Sequence, residues 1–268
     1  MTLTIAIPTR DRPQSLARLL DRIGRQTVLP ERLAIVDDNR EAGRVVVPRL
    51  GVPVEIVRGP RQGPARAHQV ALEWLTQASP HPPEVILRLD DDLVLEAPDF
   101  VERLHRVLVG RPDVGAVGGV YPPPANAQPV AIERIGGPGY SLTIDGMLRG
   151  EASAHFFRWD RARPVEAEHL YSSFMYRREA ALAVGGFAIW YSEQAHREET
   201  DFTHRLHLAG WKLLVDTAAV ARHERCPHGG LRALARDELR TADEALFTER
   251  LRGGALGCQA VCGRSFSA

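Results

Sequence analysis

The chain has 268 residues, 44% of them hydrophobic and 25% charged, and 34 basic side chains balance 34 acidic ones. That length accommodates one large α/β domain, with or without a small extension. A net charge of zero offers no field to draw nucleic acid or an anionic membrane. Every basic residue except Lys212 is an arginine, which suits bidentate phosphate contacts. Cys226, Cys258 and Cys262 are odd in number and fit no compact zinc spacing with His223 and His228, so free thiols in a reducing cytosol are expected. The N-terminus lacks the basic and apolar regions of a signal peptide, and no run of about 18 apolar residues is present. A cytoplasmic protein follows, one compatible with peripheral membrane contact through its C-terminal part.

The first half alternates strand and helix. Residues 3–8 form a short apolar strand, and Pro13 opens a helix with Leu16, Leu19, Leu20 and Ile23 on one face. A second strand at 33–36 closes on Asp37-Asp38-Asn39, and a third at 54–57 closes on Arg58-Gly59-Pro60. Residues 63–76 read as a helix, 85–89 as a fourth strand, 100–109 as a helix and 114–120 as a fifth strand. This alternation predicts a mostly parallel sheet with helices on both faces. Beyond it, the proline-rich stretch 121–129 is a loop, and 136–150 is expected to be irregular with a short strand at 140–144. Then come a strand at 170–176, a helix at 178–184, an amphipathic helix at 198–209, strands at 211–215 and 218–221, and a charged helix at 231–251 with a tail after Gly253.

Three consecutive carboxylates, Asp90, Asp91 and Asp92, follow directly on the apolar run 85–89. Clustered carboxylates repel unless a cation compensates them, and a hard divalent ion with oxygen ligands is the natural one. The alternative is a solvated acidic turn ahead of the next helix. In an open α/β sheet, ligands gather at the C-terminal strand ends, which would bring Pro8-Thr9-Arg10, Asp37-Asp38 and Asp90-Asp91-Asp92 to one rim. Carboxylates there can accept from imide N–H groups and sugar hydroxyls. The helix starting at Gly63-Pro64-Ala65-Arg66 could add positive potential through its N-terminus and Arg66, or Arg66 is a plain surface residue. Trp190, Tyr191 and His196 could form a platform for a sugar acceptor or an ordinary half-buried cluster. No Gly-x-Gly-x-x-Gly follows the first strand, and no Gly-x-x-x-x-Gly-Lys-Ser/Thr occurs, which disfavours dinucleotide-binding Rossmann and P-loop sites.

Five short segments in order carry a resemblance. Ile5-Ala6-Ile7-Pro8-Thr9-Arg10-Asp11-Arg12-Pro13, Ile35-Val36-Asp37-Asp38-Asn39 and Leu89-Asp90-Asp91-Asp92 resemble the first strand, second strand and Asp-x-Asp motif of family-2 glycosyltransferases of the GT-A fold. Phe174 to Phe187 and Glu198 to Trp211 resemble the family's acceptor-side segment and late acidic helix. The resemblance implies a GT-A domain over 1–223, with a nucleotide-binding half at 1–120, an acceptor-side half at 121–223, and a helical extension over 224–268. It implies an inverting, metal-dependent enzyme moving a sugar from a nucleotide-diphosphate donor of UDP, GDP or dTDP type to a carbohydrate, lipid-linked or small-molecule acceptor. Thr9 and Asp38 would hold the base, with Pro8, Arg10, Arg66, Asp90 and Asp91 also on the donor. Asp92, Asp90 and His223 would hold Mn²⁺ or Mg²⁺, and Trp190 and Tyr191 would face the acceptor. Glu199 falls where the family usually has an aspartate base, with Glu198 as its rival. A sugar-phosphate nucleotidyltransferase or a non-catalytic sugar-nucleotide-binding module would share much of this pattern.

Overall fold

The computed structural model describes residues 1–41, 45–78, 81–224 and 236–254. Cys226, Cys258, Cys262 and His228 lie outside them, as does the start of the helix expected at 231. The first half follows the expected alternation: β1 (Leu3–Thr9), α1 (Pro13–Gly24), β2 (Arg32–Asp37), β3 (Val54–Arg58), α2 (Pro64–Gln77) and β4 (Val85–Arg88). Its strands pair in parallel in the order β3-β2-β1-β4. Side chains alternate across a strand, and here both faces are covered. Leu3, Ile5, Ile7, Leu33, Ile35, Val85 and Leu87 pack against Leu16, Leu19, Leu20 and Ile23 of α1. Ala6, Ala34, Val36 and Ile86 pack against Ala67, Ala71, Leu72 and Leu75 of α2. Near-continuous apolar runs are what a doubly covered parallel sheet demands.

Antiparallel neighbours enter in the second half. After β5 (Leu93–Leu95), α3 (Phe100–Gly110) and β6 (Val114–Val120), the chain passes through β7 (Tyr140–Ser141), α4 (Ile144–Leu148), β8 (Ala152–Ser153) and β9 (Pro164–Ala167). It then inserts β10 (Phe174–Arg177) antiparallel between β4 and β6. Arg177 holds this insertion, donating to the carbonyls of Val114, Leu108 and Arg111. The strand expected at 170–176 thus begins only at Phe174, and the stretch thought irregular contains α4.

After α5 (Arg178–Ala183) and α6 (Glu198–Leu208), one strand, β11 (Lys212–His223), replaces the two expected. It runs parallel to β6, shifts register between Val215 and Val220, and ends antiparallel to β5 with His223 opposite Leu93. Such irregularities re-aim a strand, and this one lets a single strand reach from the sheet's centre to the aspartate triplet. Finally, α7 (Asp237–Arg252) buries Phe247 against Ala65, Ile144, Ala188 and Tyr191. The described part of the expected extension is therefore packed on the domain.

Behind the second half lie two buried histidines, His155 and His169, with ring centroids 5.1 Å apart. Burial depresses both, His169 to about 4 and His155 well below its usual value. The folded protein keeps them neutral while the unfolded chain protonates them below about pH 6.5, so stability falls as pH drops from there toward 4. His169→Gln should remove roughly 2 kcal/mol of the loss between pH 7.5 and 5. Urea midpoints at the two pH values, equally separated in variant and wild type, would refute this.

Candidate active site

The C-terminal ends of β1, β2 and β4, the N-terminal ends of α2 and α6, and the last residue of β11 surround one cleft of about 360 Å³. Pro8, Thr9, Arg10, Asp38, Asp90, Asp91, Asp92, Glu198, Glu199 and His223 all line it. Of the rim expected from the strand ends, all but Asp37 line this cleft.

The three aspartates divide their labour. Asp91 turns inward, where it accepts from the Thr9 hydroxyl at 2.8 Å and from Arg12 Nη1 at 3.0 Å. Burial is the largest influence on its carboxyl, which is pushed up to about 6. Asp91 thereby ties β1 and the start of α1 to the aspartate loop, and the Thr9 hydroxyl is engaged with it. Asp90 and Asp92 face His223: Nδ1 stands 3.2 Å from Asp92 Oδ1 and Nε2 stands 3.6 Å from Asp90 Oδ2. Each of the three offers a ligand atom within 4.8 Å of the others. Burial disfavours charge on Asp90, but the Arg88 and His223 charges outweigh it and hold its carboxyl below the usual value. The Ser172 hydroxyl, on a residue with left-handed φ of 57°, donates to Asp90 Oδ2 at 2.8 Å and lies 2.5 Å from His223 Nε2.

Asp38 occupies the opposite end. Burial raises its carboxyl, against the pull of the Arg61 backbone N–H at 2.9 Å and of the Arg10, Arg58 and Arg61 charges. Gly59 passes so close that a Cβ there would fall 1.9 Å from Asp38 Oδ1, so only glycine leaves the carboxylate in place.

The two glutamates at the start of α6 differ sharply. Glu198 is 2% exposed and takes Arg88 Nη1 at 2.7 Å. Arg88, equally buried, also reaches Asp90 at 3.2 Å. Burial pushes the Glu198 carboxyl up to about 8, with Arg88 pulling the other way. Glu199 is partly exposed to the cleft, and its carboxylate accepts no hydrogen bond from a described residue.

Other expected contributors lie elsewhere. Trp190 and Tyr191 do not line the cleft. The Tyr191 hydroxyl donates to Asp201 at 3.0 Å, and Trp190 sits under the Arg250 guanidinium at 4.0 Å. Tyr191 is buried and Trp190 half-buried, and both pack with α7 rather than on the cleft lining, whereas His196, the third member of the expected platform, does line it. Arg66 is likewise outside the lining, although its neighbours Pro64 and Ala67 belong to it. Sequence reasoning passed over Arg12, Arg88, Ser172 and Arg197. For Arg88 a signal existed, since a charge inside the apolar run 85–89 must find a buried partner.

The arrangement is that of a GT-A-type sugar transferase: a curled mixed sheet with carboxylates and a histidine at one rim. The glycosyl transferase family 2 pattern matches residues 4–185, more than half of the chain, and the protein belongs to that family. No curated protein sequence matches the chain. Solved structures share the fold. A mannosyltransferase from Pyrobaculum calidifontis, in complex with GDP-Man and Mn²⁺, superposes with a TM-score of 0.56 at 15% identity, over 94% of this chain and 75% of that one. Mannosyl-3-phosphoglycerate synthase from Rubrobacter xylanophilus gives 0.57 at 18%, over 97% and 77%. Glucosyl-3-phosphoglycerate synthase from Mycobacterium tuberculosis, with Mn²⁺, UDP and glucosyl-3-phosphoglycerate, gives 0.53 at 15%, over 93% and 79%. Among the described residues no helix is long and apolar enough to cross a membrane.

Proposed function

We propose that the protein transfers a sugar from a nucleotide-diphosphate donor to an acceptor hydroxyl with inversion, and that Glu199 is the base. The observation that carries this is the contrast between the two glutamates within a cleft that also holds Asp38, Asp90, Asp92 and His223. Asp38 is set to accept from a base N–H, with Arg10 beside it. Asp90, Asp92 and His223 form a donor set that fits a divalent cation. The imidazole favours Mn²⁺ over Mg²⁺, which prefers oxygen alone. When bound, the cation would stabilise the negative charge of the departing diphosphate. Arg88 orients Asp90 from beneath, and Asp91 keeps the loop closed on β1 and α1.

Glu199 can take the proton of an acceptor hydroxyl as that oxygen attacks the anomeric carbon. Its carboxylate is open to the cleft, whereas the Glu198 carboxylate is buried and engaged by Arg88 at 2.7 Å. The fold likeness to complexes holding GDP-Man or UDP supports a nucleotide-sugar donor, and the family match argues against a nucleotidyltransferase.

A thermal-shift screen of UDP-, GDP- and dTDP-sugars, with and without Mn²⁺, tests the reading. A donor at a hundredfold excess over its Kd should stabilise the fold by about 2.7 kcal/mol. The stabilisation should require the cation. No response to any nucleotide sugar in the presence of Mn²⁺ would refute the assignment.

A further inference from the structure

The segment 192–197 forms one wall of the cleft through Gln194, Ala195, His196 and Arg197, and it leads directly into the helix that carries Glu199. Inside the segment, turns are closed by Ala195 N–H to Ser192 O at 2.9 Å and Glu198 N–H to Ala195 O at 3.2 Å, and Gln194 N–H donates to Ser192 Oγ at 3.2 Å. Arg197 is the N-cap of α6, yet it supplies no side-chain cap and its φ is +74°. Ala195 is also left-handed, at +49°. Non-glycine residues rarely hold that conformation unless their surroundings impose it.

Besides Met147 of α4, whose Sδ accepts from Arg197 Nη1 at 3.1 Å, the surroundings are two adjacent acids of α7. Asp243 is 2% exposed and accepts three hydrogen bonds: from Ser192 N at 2.8 Å, Ser192 Oγ at 2.7 Å and His196 N at 2.9 Å. Glu244 takes Arg197 through both oxygens, Nε at 2.8 Å and Nη2 at 3.2 Å, and lies 2.9 Å from His196 Nε2. Fixing Arg197 fixes the first turn of α6 two residues before Glu199. No other described element makes side-chain hydrogen bonds to the backbone of Ser192 or His196.

The geometry points to Asp243 and Glu244 as positioning residues for sugar transfer: from the C-terminal helix they hold the cleft wall and aim the Glu199 carboxylate. The inference rests on the proposed reading of Glu199 as base. It assigns α7 to the active unit, because the nucleotide-holding rim of β1, β2 and β4 is complete without it while the acceptor side is not. The two sides should therefore respond separately when the clamp is loosened.

The test compares Glu244→Gln, Glu244→Asp and Asp243→Asn with wild type, using Glu238→Gln on the exposed face of α7 as control. Mn²⁺-dependent binding of UDP and GDP is measured by calorimetry. Turnover is measured with whichever nucleotide sugar the screen identifies, with water as acceptor if no other is known. The expected result for Glu244→Gln is kcat reduced at least tenfold, with nucleotide Kd and donor KM within twofold of wild type. Glu244→Asp should recover part of the lost rate, and Glu238→Gln should match wild type. If kcat stays unchanged while only the melting temperature falls, the pair is merely structural and the inference is overturned. Parallel losses of nucleotide affinity and kcat would overturn it equally. Should Asp243→Asn fail to fold, Glu244→Gln, whose side chain is 38% exposed, decides alone. Should wild type turn over no nucleotide sugar, the reading of function is at fault. Amide hydrogen exchange over residues 192–199 then judges the clamp by itself, and unaltered protection in Glu244→Gln would overturn it.

Discussion

Asp92→Asn is expected to lower cation-dependent transfer by about a thousandfold, the equivalent of roughly 4 kcal/mol of transition-state stabilisation. The side chain is 3% exposed and placed between Arg12 Nη1 at 3.0 Å and His223 Nδ1 at 3.2 Å. An amide keeps the shape but removes the charge that makes the position attractive to a divalent ion. Mn²⁺ affinity, followed by electron paramagnetic resonance, should fall with the rate, while the circular dichroism spectrum stays as in wild type. Turnover at the wild-type level, with Mn²⁺ dependence intact, would remove Asp92 from the cation site. A spectrum of an unfolded chain would instead show that Arg12 needs both aspartates to hold α1 in place.

Glu199→Gln should reduce transfer by about 10²- to 10⁴-fold, the usual contribution of a positioned general base. Nucleotide and Mn²⁺ affinities should change little, because Asp38, Asp90, Asp92 and His223 are untouched. Glu198→Gln is the informative partner. It withdraws the carboxylate that faces Arg88 at 2.7 Å, and a buried guanidinium that loses its counter-charge destabilises the fold. The two neighbours should therefore separate: loss of rate at normal stability for Glu199, loss of stability for Glu198. Full transfer by Glu199→Gln, with rate loss at Glu198→Gln in a protein of wild-type melting temperature, would exchange their roles.

The first half could be read from the residues because each strand there is an apolar run closed by a polar turn, and parallel order puts those turns on one rim. Asp38, Asp90, Asp91 and Asp92 meet for that reason. The second half resisted the same reading. The short strands β5 and β9 are three and four residues long, too short for periodicity to show. The run Phe174–Arg177 carries no mark of its direction, so its antiparallel insertion was invisible. Asp216 and Thr217 seemed to break a strand that in fact only shifts register. Trp190 and Tyr191 could not be placed from sequence, because an aromatic pair looks alike whether it lines a cleft or packs on a helix. The structure puts them in contact with Arg250 and Asp201. Arg12, Asp243 and Glu244 find their partners 79, 51 and 47 residues away along the chain, beyond any local pattern.

The lining of the cleft also sets an order of events. Six carboxylates, Asp38, Asp90, Asp91, Asp92, Glu198 and Glu199, face four guanidiniums, those of Arg10, Arg12, Arg88 and Arg197, a formal excess of two negative charges before the His223 imidazole is counted. A diphosphate entering alone meets like charge at short range, and one divalent ion cancels that excess. On the proposed reading, the vestibule repels naked nucleotide and admits the neutralised pair, an electrostatic lock that keeps activated sugar out until its counter-ion travels with it or has arrived first.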